Sequence, residues 1–133
     1  MDEVIKKILV GVVHDGKKLL ILERTADNTY DSKKWEFVSG FIDNAADVNQ
    51  AIEHVKKETG LDVQLVKVGH TFTVRDVYGM RLIHPFLFKP KSDRVKLDNL
   101  HTGYAWVEPA NLAKYDCVKD LDKNLTALGL SMV

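Results

Sequence analysis

The chain holds a single cysteine, Cys117, so no internal disulfide can staple it, and a reducing compartment, the cytoplasm, is the simplest setting. Proline and glycine are scarce, three and eight residues, which excludes a collagen-like or low-complexity chain. No stretch approaches the ~18 apolar residues of a spanning helix. The apolar run Ile8-Leu9-Val10-Gly11-Val12-Val13 follows Lys6-Lys7, yet it is too short for a signal core and no small-residue cleavage pattern follows it. An excess of one charge is also missing. Nineteen basic residues balance nineteen acidic ones, which argues against a polyanion-coating protein and leaves room for a local basic pocket.

What is present is globular composition, 45% apolar and 29% charged over 133 residues. That is the size of one domain, residues 1–133, able to bury roughly two-thirds of its unfolded surface without staples. The first strand reads Ile8 to Val13. Asp15-Gly16 between apolar runs signals a hairpin, because both positions tolerate positive φ, and Lys18 to Arg24 returns. A polar loop from Thr25 to Lys34 leads into Trp35-Glu36-Phe37-Val38-Ser39-Gly40.

The spacing predicts a helix from about Ala45 to Thr59. Asn44 is its N-cap and Asp47 reciprocates from the first turn. Val48, Ala51, Ile52 and Val55 form its buried stripe, and Gly60 ends it in a left-handed cap. Period two then returns through Val63, Leu65, Val66, Val68, His70, Phe72 and Val74, with a phase change at Leu65–Val66 that implies a bulge. Tyr78-Gly79 turns the chain into Met80 to Phe88, where Pro85 points to a sheet edge or a bulge. Tyr104 to Val107 reads as a short strand, Pro109 to Leu112 as a helical turn, and Val118 to Leu128 as a last helix. The expectation is an α/β fold, a mixed sheet flanked by helices.

The segment Trp35 to Leu61 resembles the Nudix box, whose family pattern is G-x5-E-x7-R-E-U-x-E-E-x-G-U with U bulky and apolar. The resemblance extends to Leu19–Arg24, similar to the family's second strand ending in Arg, and to His101-Thr102-Gly103-Tyr104-Ala105-Trp106-Val107-Glu108-Pro109, similar to its late strand. It implies a Nudix-like α/β/α sandwich. Within the box, Glu58, Gly60 and Leu61 match and Val55 fits the U position. Lys57 stands where the preceding Glu belongs, while Glu53 and His54 replace Arg-Glu. Gly40 resembles the opening Gly at a spacing one residue short; Ser39 restores the spacing and loses the Gly. The loop Glu falls on Ala45 or Ala46.

The family resemblance implies metal-assisted hydrolysis of a diphosphate linked to another group, usually a nucleoside diphosphate, with Mg²⁺ or Mn²⁺ on clustered helix carboxylates. Here His54, Lys57 and Glu58 total about zero charge. A Lys ammonium ~4 Å from a divalent ion is repelled by ~8 kcal/mol at an effective dielectric near 20, so Mg²⁺ should bind weakly. In one reading Lys57 replaces the metal and, with Arg24 and Gly40, holds a phosphate. The ligand is then a nucleotide or other small-molecule diphosphate, hydrolysed slowly or not at all. In a second, Glu58 and His54 are catalytic and hold a softer divalent ion, with Asp43 or Asp47 as further ligands. In the plainest, Glu53 and Lys57 form a surface i,i+4 pair and the face is merely solvated, which leaves a partner-binding scaffold. Family resemblance also implies that a homodimer is open to this chain.

The other candidates rank lower. His70 and His84 read as core histidines on neighbouring strands, and His14 and His101 as surface residues at turns. Cys117 reads as a small packed hydrophobe. Trp35 and Phe37 read as core, with Trp35 placed to stack a base. Lys33-Lys34 and Lys89 to Lys96 are solvated charge, not a nucleic-acid footprint.

Overall fold

The computed structural model describes residues 5–27, 31–42, 47–77 and 79–130. Strand β1 (Lys6–Val13) is apolar at successive positions because both its faces are covered. Ile8, Val10 and Val12 join one core cluster, and Leu9 and Val13 join another. The turn at Asp15 closes tightly, its carboxylate accepting from the Lys17 and Lys18 amides at 2.9 and 2.7 Å. After the His14–Leu19 bridge, however, the two strands part into different sheets. β2 (Leu19–Arg24) also buries both faces, and the edges of the two strands are taken by other partners, β1 pairing with β4 and β7 and β2 with β3 and β8.

Two sheets result. β4 (Val38–Ile42), β1, β7 (Gly79–Pro90) and β5 (Val63–Val68) form a mixed sheet in that order, in which β1 runs parallel to β7 and β6 (Phe72–Asp76) also pairs with β7. β3 (Trp35–Glu36), β2 and β8 (His101–Val107) form an antiparallel sheet. One core cluster lies against α1 (Val48–Thr59) through Ala51 and Val55, and the other against α2 (Leu121–Ala127) through Leu121 and Leu125. This is the helix–sheet–helix layering that the sequence implied.

Several local expectations hold and others shift. Gly60 caps α1 at φ +73°, its amide donating to the Lys56 carbonyl, and Leu61 folds back into the core. The register slips between Leu65 and Lys67, which makes Val66 the bulge. The N-cap is Asp47, whose side chain accepts from the Gln50 amide at 2.8 Å; Asn44 and the Tyr78 turn position lie outside the described residues. Residues 109–114 form a 3-10 turn, and α2 starts later than Val118, whose amide instead donates to Trp35.

Pro85 sits in a central strand, not at an edge. Its carbonyl accepts from Gly69 at 2.9 Å, where the neighbour of β7 changes from β5 to β6. N and O of one strand residue face the same side, so the missing N–H falls at that junction and costs no ladder bond. His70 is exposed in the connection after Val68, because the alternation ends with β5. His84 is half-buried, and burial, with Lys7 nearby, lowers its pKa.

Candidate functional site

The antiparallel sheet assembles one side of a polar cluster. Glu36 lies opposite Leu22 on β2, and Arg24, two residues further along β2, lies opposite His101 on β8. Side chains two apart on a strand share a face, so three residues far apart in sequence converge. Arg24 Nη1 donates to both carboxylate oxygens of Glu36, at 2.8 and 2.9 Å. His101 Nε2 lies 2.9 Å from Glu36 Oε2, and its Nδ1 lies 2.7 Å from Asp98 Oδ1. From the other side α1 brings Glu58, whose Oε1 is 3.9 Å from His101 Nε2 and whose Oε2 is 3.5 Å from His54 Nδ1.

His101 is therefore buried at the heart of the cluster, not on the surface. A carboxylate only accepts, so an imidazole between two of them holds both its protons. Burial opposes that charge, but the hydrogen bonds to Glu36 and Asp98 outweigh it and raise the His101 pKa. Burial likewise raises Glu58, the His54 contact opposing and the Glu36 charge adding to the shift. Arg24 and a protonated His101 offset the charges of Glu36 and Asp98, and Glu58 is the carboxylate whose charge burial disfavours.

Gly40 serves the site by having no side chain. A Cβ there would lie 2.2 Å from His54 Cε1, so the imidazole rests directly over the β4 backbone. Lys57 is exposed and lines the cleft onto which the cluster opens. This cleft holds about 380 Å³, with Ile8, Val10, Val74, Ile83 and Leu121 as its apolar wall. Phe41, 55% exposed, lines it too. So does Asn124, buried on α2, whose Nδ2 donates to the Leu121 carbonyl while Oδ1 has no partner among the described residues. Trp35 instead packs edge-on against Tyr115, with ring centroids 5.1 Å apart.

The proposed residues thus fall into two groups. Glu58, His54, Arg24, Lys57 and Gly40 all line the cleft. Asp47 is exposed and spends its carboxylate on the far end of α1, while Asp43, Ala45 and Ala46 lie outside the described residues. Glu36, Asp98 and His101 did not stand out in the sequence. The one available signal was Glu36, a carboxylate between Trp35 and Phe37.

Among the described residues the donors around Glu58 are a mixed nitrogen–oxygen set, unlike the all-oxygen set typical of Mg²⁺. That ion prefers octahedral oxygen coordination with several retained waters. Here α1 offers a single carboxylate beside the Lys57 ammonium, and a nitrogen stands between the two buried glutamates. Glu36, Glu58 and His101 do place one ligand atom each within 4.8 Å of one another, close enough to hold a divalent ion of another kind.

Residues 6–128 match the NUDIX domain family model. The chain belongs to the Nudix family. No curated protein matches it by sequence. Its fold is similar to that of a Nudix hydrolase from Nitrosomonas europaea (TM-score 0.76, 17% identity, covering 93% of this chain and 88% of that one). It is also similar to a MutT protein from Methanosarcina mazei Go1 (0.77, 15%, 97% and 96%). A third neighbour is the Nudix domain of Shewanella oneidensis NrtR, solved with ADP ribose (0.71, 14%, 95% and 87%). At these identities the likeness speaks for the fold alone.

Proposed function

We propose that the chain binds a nucleotide or other diphosphate-containing small molecule in this cleft and hydrolyses it weakly or not at all. The observation that carries this reading is the composition of the α1 face. Glu58 is its one carboxylate at the cluster, buried and raised toward its neutral form, while Lys57 presents an exposed cation to the cleft. A fixed ammonium can offset phosphate charge where the family resemblance implies a metal. Phe41 offers a face for a base, and Asn124 Oδ1 offers an acceptor on the apolar wall. The NrtR neighbour, solved with ADP ribose, supports a ligand of this class. Cys117, free and half-buried, is compatible with a cytoplasmic setting. Among the described residues no helix is long and apolar enough to cross a membrane.

The test is a turnover screen of nucleoside diphosphate derivatives with Mg²⁺ and Mn²⁺, Glu58→Gln alongside. The reading expects no turnover above the variant. Turnover that Glu58→Gln abolishes overturns it in favour of a working hydrolase, the alternative supported by the Glu36–Glu58–His101 spacing.

A further inference from the structure

From the geometry we infer that Lys119 sets the size of the ligand. It ties segment 116–121 to the edge of β6 and so closes the apolar end of the cleft, which then takes one unextended base and excludes a base carrying a bulky substituent. The identity of the ligand rests on the nucleotide reading above; the closure does not.

Three observations carry it. The first is the span of the segment. On the antiparallel sheet it is anchored through backbone, the Trp35 amide donating to the Asp116 carbonyl and the Val118 amide to the Trp35 carbonyl, each at 2.9 Å. It then reaches the mixed sheet, where Lys119 Nζ donates to the Arg75 carbonyl at 2.7 Å. The second is the partner found there. Among the described strands β6 pairs with β7 alone, so its other edge needs donors from elsewhere. An ammonium with three protons on a flexible stem supplies one from outside the sheet. The third is room. Val118, Lys119, Asp120 and Leu121 line the cleft together with Phe72 and Val74 of β6. At about 380 Å³ the cleft lies near the small end of ligand sites, roughly 300–1,000 Å³, so a base that fills its apolar end meets this segment.

The neighbouring charges leave Lys119 to this task. Asp120, at φ +62°, turns the chain into α2, and its carboxylate is engaged by Lys123 at 3.4 Å. One exposed charged contact adds little stability, but here it acts on position, holding β6 and segment 116–121 at one separation before the ligand arrives. Apolar contacts on the cleft wall have no direction, so fit at this end is decided by shape. A substituent on the base has to part the segment from β6, and breaks the Lys119–Arg75 hydrogen bond in doing so.

Two arms test it. Hydrogen exchange on the ligand-free full chain compares wild type with Lys119→Met and Lys119→Arg. Met keeps the stem and loses the donor, so the amides of residues 72–76 and 119–121 should exchange roughly two- to fivefold faster. Arg can still donate and should restore wild-type exchange. The second arm titrates ADP, and ADP analogues bearing a phenyl group on N6, C2 or C8, by calorimetry. The wild type should favour ADP over at least one analogue by roughly tenfold or more, the selectivity that fit in an apolar pocket supplies. Lys119→Met should erase most of that ratio and Lys119→Arg should keep it. Unchanged exchange in Lys119→Met, a wild type indifferent to every analogue, or a ratio that Lys119→Met leaves as it was would each overturn the closure. A wild type that binds no ADP overturns the nucleotide reading, and the exchange arm then decides the closure on its own.

Discussion

Replacing Arg24 by Met tests whether the cluster is a buried, charge-balanced unit. Arg24 Nη1 meets both oxygens of Glu36, and the two side chains are 17% and 7% exposed. Met keeps the length and packing of the stem and removes the charge. Glu36 then remains buried with His101 as its only cationic neighbour among the contacts described above. Removing one partner of a buried ion pair costs about 3–5 kcal/mol, mostly because the other is left uncompensated. For a domain of this size that corresponds to a drop of roughly 10–20 °C in melting temperature. Urea denaturation measures it directly, with constant slope showing that only stability has changed. Adding Glu36→Gln to Arg24→Met should restore about 2 kcal/mol, because a neutral amide needs no counter-charge and its oxygen still accepts from His101. A loss below about 1 kcal/mol for Arg24→Met, with no recovery in the double variant, would show that water screens Glu36 and that the charge argument is wrong.

Other expectations follow from the same geometry. Gly40→Ala must displace the His54 ring from 2.2 Å and should cost about 1–3 kcal/mol; adding His54→Ala should recover most of it in a double-mutant cycle by denaturation. Glu58 and His101 both have raised pKa values in the folded state. The metal-free protein therefore draws stability from them below their ordinary values of 4.5 and 6.5 and loses it as pH rises through the raised ones. Glu58→Gln mimics the protonated acid, so across a pH series the wild type should lose stability relative to this variant as pH rises; a shift in the wild type's favour would contradict the sign. Phe41→Ala should weaken a nucleotide by about 1–3 kcal/mol, the worth of one stacked base, and leave inorganic diphosphate affinity unchanged in parallel calorimetric titrations.

Much of the layering was legible because burial on two faces writes itself into composition. Ile8 to Val13 carries no polar alternation, and a strand covered on both sides needs none. Gly60 and Leu61 were readable as a helix stop because a left-handed cap favours glycine, and the Val66 bulge showed as a slip in period two. The site was legible where the helix supplied it and, through the family resemblance, at Arg24 and Gly40. Glu58, His54 and Lys57 lie on one segment, whereas His101 meets Glu36 across 65 positions. That meeting depends on the β2–β8 register, including its irregularity between Glu23 and Arg24, which no local pattern reports. His101 therefore read as a turn residue. His70 read as core for the converse reason: its alternation with Val68 continues past the point where β5 ends.

The most direct measurement is a calorimetric titration of ADP ribose into the protein in the presence of chelator, wild type beside Lys57→Ala. Saturable binding that survives chelation and weakens about tenfold in the variant, near 1.4 kcal/mol, is the predicted result. Binding that vanishes in chelator, or that is untouched by Lys57→Ala, would contradict the claim that Lys57 stands where the family resemblance implies a metal.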